Sequence, residues 1–161
     1  MRPLQVIPSI HRATHRIGLY IARLTQLGVT QAEAHILTHL IAAGPCTVGE
    51  LHAAFAHRRS TLTSVLDRLA EKKLIAREPS EKDRRTFVID LTAQGTALAT
   101  RLHNHLRHLE SRVLAAVSAR DVKSFSALLA ALEETLQAEE RQLSRRSGAK
   151  RTPARAGKDG A

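Results

Sequence analysis

Two stretches decide the fold: Leu66-Asp67-Arg68-Leu69-Ala70-Glu71-Lys72-Lys73-Leu74-Ile75, and Asp83-Arg84-Arg85-Thr86-Phe87-Val88-Ile89-Asp90-Leu91-Thr92-Ala93-Gln94-Gly95. The first continues an apolar series. Leu62, Val65, Leu66 and Leu69 fall at i, i+3, i+4 and i+7, which places them on one face of a helix ending near Lys73. Leu74 to Glu78 and Thr86 to Leu91 are short runs of apolar and β-branched residues, with Phe87, Ile89 and Leu91 alternating onto one face, so they predict a hairpin. The connection from Pro79 to Arg85 is charged and longer than a tight turn requires, which predicts a loop projecting into solvent. Thr92 is placed to cap the helix that follows.

Upstream, Thr30-Gln-Ala-Glu33 and Thr47-Val-Gly-Glu50 have the Thr-x-x-Glu form that satisfies the free amides of a helix start. They predict a helix carrying Ile36, Leu37, Leu40 and Ile41 and a shorter one from Val48 to Ala54. Ile10, Ile17, Tyr20, Ile21, Leu24 and Leu27 mark an earlier helix from about Ser9 that Gly28 ends. Downstream, Leu98, Leu102, Leu106, Leu109, Val113 and Val117 mark a long helix, and Ser118-Ala-Arg-Asp121 opens a last one. The stripe of that last helix is Val122, Phe125, Leu128, Leu129, Leu132, Leu136 and Leu143, more apolar length than the small preceding core covers, so a second chain is the expected source of burial.

The fold class is therefore mainly α with a small β-hairpin: a winged helix-turn-helix domain plus long N- and C-terminal dimerisation helices. Residues 1–146 form one domain, with the DNA-binding lobe at about 30–91 and the dimerisation helices at about 9–27 and 92–144. The Gly, Ala, Pro, Lys and Arg of 147–161 predict a disordered basic tail.

The chain carries 25 Lys+Arg against 15 Asp+Glu, a net charge of +10, which points to a polyanionic partner. Residues 145–161 hold six basic residues and one acidic, so half of the excess lies from Arg145 onward. With aromatics at 2% and no Trp, the core must be aliphatic. A lone Cys46 excludes an intramolecular disulfide or a multi-Cys zinc module. No signal-like or membrane-spanning apolar run occurs, so the expected compartment is the cytoplasm, with no membrane partner. Without a Gly-rich phosphate loop, a nucleophile motif with a base, or a carboxylate pair, the chain is not expected to be an enzyme, and no cofactor is implied.

Opposite the buried stripe of the fourth helix lie Ser60, Thr61, Thr63, Ser64, Asp67 and Arg68, with Arg58 and Arg59 at its start. Hydroxyls bond phosphates or base edges, and an arginine grips guanine bidentately. Taken alone, such a face could also be simply solvated.

The wing pattern decides between these readings. Asp83-Arg-Arg85 followed by Leu91-Thr92-Ala-Gln-Gly95 resembles the D-x-R and L-T-x-x-G pattern of the MarR (multiple-antibiotic-resistance regulator) family. Glu50-Leu51, Ser60-Thr61, the run Leu66 to Ile75 and Arg77 also match, so the resemblance spans roughly residues 10–143. It implies a triangular dimer whose first and last two helices interlock. Arg85 matches the arginine that enters the minor groove, Asp83 the acid that orients it, and Arg84 is placed for phosphate contact. Two positions depart from the pattern: Lys73 stands where the family has Gly, which predicts a left-handed residue there, and His57 replaces a capping residue.

The resemblance further implies a ligand-responsive repressor that binds double-stranded DNA at a pseudo-palindromic operator as a homodimer and answers to a small aromatic or phenolic effector. Candidate effector residues are Arg12, His15 and Arg16 on the first helix and His35 and His39 on the second. The residues also suit two alternatives. His35 with His39, and His105 with His108, have spacings that suit a zinc-responsive regulator of the same fold. The basic tail suits a less specific nucleoid-type DNA-binding protein. No metal site is assigned.

Overall fold

The computed structural model of the chain describes residues 3–24, 28–55, 59–79 and 86–149. In order the elements are α1 (Ile7–Leu24), α2 (Gln31–Ala43), β1 (Cys46–Thr47), α3 (Val48–Phe55), α4 (Arg59–Glu71), β2 (Ile75–Pro79), β3 (Phe87–Leu91), α5 (Ala93–Ala115) and α6 (Ala119–Ala149). The chain divides into two compact units, Met1–Leu109 and Glu110–Ala161.

The first unit is built on capped helices around an aliphatic core. At the start of α2 the Thr30 amide donates to Glu33 Oε2 (2.7 Å) and the Glu33 amide donates to Thr30 Oγ1 (3.3 Å), the reciprocal box that the Thr-x-x-Glu spacing predicts. Thr47 and Glu50 repeat it before α3, at 2.7 and 3.2 Å. Behind these caps, Ile21 of α1, Leu37 of α2, Leu51 of α3, Leu66 of α4, Ile89 of β3 and Leu102 of α5 are all buried in one cluster.

The sheet is antiparallel, in the order β1-β3-β2. Its register runs from Ile75 opposite Leu91 to Pro79 opposite Phe87, so β2 and β3 are the legs of the expected hairpin. The third strand, β1, is new: Cys46 and Thr47 pair with Ile89 and Val88. Two residues carry no periodicity, so nothing in the sequence announces them.

The alternation predicted for β3 holds only in part. Ile89 is fully buried and Leu91 half-buried, but Phe87, at the far end of the hairpin, is 49% exposed. β2 starts at Ile75 rather than Leu74 because the Leu74 amide is already used: it donates to Leu69 O (2.9 Å), and the Lys73 amide donates to Ala70 O (2.8 Å). That pair of bonds is a Schellman closure of α4, and it requires a left-handed residue at Lys73, whose φ is 56°. The left-handed conformation expected for Lys73 is therefore observed, at a lysine that lacks glycine's freedom to adopt it.

The Leu-Thr-x-x-Gly motif then locks the next helix onto this turn. The Thr92 hydroxyl donates to Lys73 O (2.7 Å) and accepts from the Gly95 amide (3.0 Å), while the Thr92 amide donates to Leu74 O (3.2 Å). A Cβ on Gly95 would lie 1.8 Å from Leu74 O, so only glycine lets α5 approach this closely. The motif is thus a structural clamp that ties the end of α4 to the start of α5.

In the second unit α6 opens with a third box, Ser118 and Asp121, whose hydroxyl and amide bonds hold the Asp121 carboxyl below its usual range. The helix continues to Ala149, beyond the start of the tail expected at 147, and residues 150–161 lie outside those described. Along it Phe125, Leu128, Leu136 and Leu143 are each between 43% and 61% exposed, whereas Val122, Leu129 and Leu132 are half-buried.

Candidate nucleic-acid interface

The stripe of α4 faces inward as its spacing requires: Leu62, Val65, Leu66 and Leu69 are all at or below 2% exposure. The helix therefore presents its other side, and Ser60, Thr61, Thr63 and Ser64 are exposed there. The Ser64 hydroxyl donates to Ser60 O (2.9 Å), leaving its lone pairs to accept from other donors. Arg59 is the first residue of α4, at the positive end of the helix dipole; nothing is described of its side chain. Arg58 and His57, like Asp83, Arg84 and Arg85 in the wing connection, lie outside the described residues. The two strands that lead into and out of that connection are both in place.

Arg68 and Asp67 carry interactions that the helix pattern did not announce. The Arg68 Nε donates to Glu33 Oε1 (3.1 Å), so part of its guanidinium is committed within the protein. Asp67 pairs with Arg77 of β2 and links the candidate recognition helix to the wing. Arg77 matches the family pattern at a position whose work is now visible as this pairing.

Glu33, which the sequence places only in the capping box of α2, also reaches across to α4 and the residue after it. It is fully buried, yet it binds Arg68, the Lys72 ammonium (2.9 Å) and the Thr30 amide together. Burial alone would raise its pKa; the donors from Thr30, Lys72 and Arg68 outweigh this and hold the carboxyl below its usual range. The available signals were the i, i+4 spacing of Arg68 and Lys72 and an acid three residues after Thr30, but only the fold joins them.

The candidate effector residues divide between two helices. Arg12, His15 and Arg16 are exposed on α1, whereas His35 and His39 are half-buried on α2. The His39 ring meets the Phe55 ring edge-on, 5.2 Å between centroids and 72° between planes, so it faces α3. Among the described residues no group of three His, Cys, Asp or Glu is arranged to hold a metal ion. Cys46 is buried in β1, where desolvation and the Glu50 charge push its thiol pKa up, away from the reactive thiolate. Among the same residues no helix is long and apolar enough to cross a membrane.

The MarR family model matches residues 27–86, which run from α2 through β2 and end just before β3. Over 140 residues the chain is 30% identical to the HTH-type transcriptional regulator PecS of Dickeya dadantii, spanning 84% of each protein. The chain belongs to the MarR family. It is a DNA-binding transcription regulator built on a winged helix-turn-helix. The fold of the regulator is that of the S. aureus MepR–DNA complex, with a TM-score of 0.71 at 22% identity, covering 83% of this chain and 99% of MepR. An E. coli MarR mutant complexed with operator DNA aligns with a TM-score of 0.59 at 25% identity, covering 80% of this chain and 99% of that one.

Proposed function

We propose that the regulator is a repressor that binds a pseudo-palindromic operator as a homodimer, with α4 in the major groove and Arg85 of the wing in the adjacent minor groove. The observation that carries this reading is the two-sided character of α4, whose apolar stripe is sealed in the core while Ser60, Thr61, Thr63 and Ser64 stand exposed. Short hydroxyls on such a face reach phosphates and base edges without steric conflict. Arg58, Arg59 and Arg84 supply phosphate contacts, and Asp83 orients Arg85 by ion pairing. The exposed apolar residues of α6 support a second copy of the chain as the partner that covers them.

The tail beyond Ala149, with Lys150, Arg151, Arg155 and Lys158, adds sequence-independent attraction to phosphates. The effector is an aromatic or phenolic acid drawn to Arg12, His15 and Arg16, the exposed cationic face of α1. Repression follows from occupancy, because a bound dimer obstructs polymerase, and the site of action is the cytoplasm.

Selection of binding sites from random duplexes tests the reading. The selected site has two-fold symmetry with half-sites about one helical turn apart and outcompetes random DNA by about 10³-fold or more at fixed salt. Arg85→Ala lowers binding to it sharply. A strictly monomeric protein, or one that binds all duplexes alike as a nucleoid protein does, overturns the proposal.

A further inference from the structure

Apolar packing holds α4 against the core but does not by itself fix its rotation, because the hydrophobic effect is non-directional and a leucine stripe tolerates small turns and slips. Directional bonds supply what packing lacks. Arg68 in the last turn of α4 and Lys72 just beyond its end both make such bonds toward α2, and both end on the same carboxylate: Arg68 Nε on Glu33 Oε1 and Lys72 Nζ on Glu33 Oε2. Glu33 is itself immobilised, being fully buried and bound by the Thr30 amide at the start of α2. The Lys72 ammonium also donates to Gly28 O (3.1 Å), at the left-handed turn residue between α1 and α2. One carboxylate therefore joins three segments: the turn after α1, the first turn of α2 and the last turn of α4.

We propose that Glu33 is the positioning residue of DNA recognition: by gripping Arg68 and Lys72 it sets the rotation of α4, and with it which bases the Ser60 to Ser64 face meets. This rests on the reading of α4 as the recognition helix. Glu33, wholly buried, touches no DNA; it acts through the two cations. A buried charge retained at such a junction favours one arrangement over near-degenerate alternatives more than it adds stability. The cations it holds are 47% and 31% exposed, so neutralising Glu33 strands no buried charge, and the Glu33→Gln chain is expected to keep its fold.

The test uses the full-length protein and two probes: a duplex selected by the wild type from random-sequence oligonucleotides, and a random duplex of equal length. With Glu33→Gln the preference for the selected duplex falls about tenfold, the loss of one good base contact. Affinity for random DNA and its salt slope stay within about twofold, since Arg68 and Lys72 keep their charges. A merely stabilising residue would instead lower both affinities together. In a double-mutant cycle of Glu33→Gln with Lys72→Met, the losses of preference are expected to be strongly non-additive, because either change breaks the same link. Lys72→Met, which also removes a charge and is therefore read on the ratio of the two affinities, serves should Glu33→Gln fold poorly. Undiminished preference in both single variants, or equal losses on both probes, overturns the inference. A wild type that selects no preferred duplex overturns the recognition-helix reading itself, which separates the two failures.

Discussion

In Met1–Leu109 and Glu110–Ala161 the same heptad-like spacing of leucines meets two different fates. In the first unit Leu62, Leu66 and Leu69 of α4 are sealed, because α2, α5 and the three-stranded sheet contribute to the same cluster. In the second, Phe125, Leu128 and Leu136 of α6 repeat the pattern and remain 43% to 56% exposed. An apolar stripe thus announces that a helix will be covered without saying whether its own chain or another does the covering. The first unit is a domain core; the second carries an apolar surface suited to a partner.

Substitutions can break this contrast. Leu66→Ala opens a cavity in a closed core and is expected to cost about 2–5 kcal/mol, read from the urea midpoint of unfolding; a cost below about 1 kcal/mol would mean the lobe is loosely packed. Gly95→Ala places a Cβ where Leu74 O now stands and is expected to cost about 1–3 kcal/mol by the same measurement, since α5 must shift off the Thr92 clamp. An unchanged midpoint would show that the clamp yields freely.

The acid response of the lobe is smaller and has a definite sign. The Glu33 carboxyl is held below its ordinary 4.5, so its contribution to stability is present above that pH and is lost as the pH falls through the lower folded value. Urea midpoints measured downward from pH 5 are expected to fall more steeply for the wild type than for Glu33→Gln. Parallel curves would remove Glu33 from the account.

The smallest effect on the lobe, and the sharpest test of the contrast, comes from Phe125→Ser combined with Leu136→Ser. The lobe midpoint is expected to move by roughly 0.5 kcal/mol or less, as for exposed positions, while sedimentation shows the mass falling to that of one chain. Loss of lobe folding along with dimerisation would mean that the two units do not stand independently.

Much of this architecture was legible because its signals are local. The Thr30, Thr47 and Ser118 boxes each lie within four residues, and every long helix writes its buried face at a period of 3.6, so element order and helix starts could be read directly. The left-handed Lys73 was legible only through the resemblance to the family, whose pattern has Gly at that position. Other features left no local trace. Strand β1 is two residues long, and Phe87 alternates correctly yet lies beyond the reach of the core.

The sequence by itself determined the family, the hydroxyl-rich face of α4 and the charged wing, because each is a matter of residue type at fixed spacing. Only the tertiary structure decided that Arg68 is shared with Glu33, that Asp67 belongs to Arg77 and that Gly95 is required by a carbonyl belonging to another element. The physical reason is separation along the chain. Glu33 stands 35 and 39 residues from its two cations, and a directional bond across such a distance exists only once the apolar core has brought the helices together.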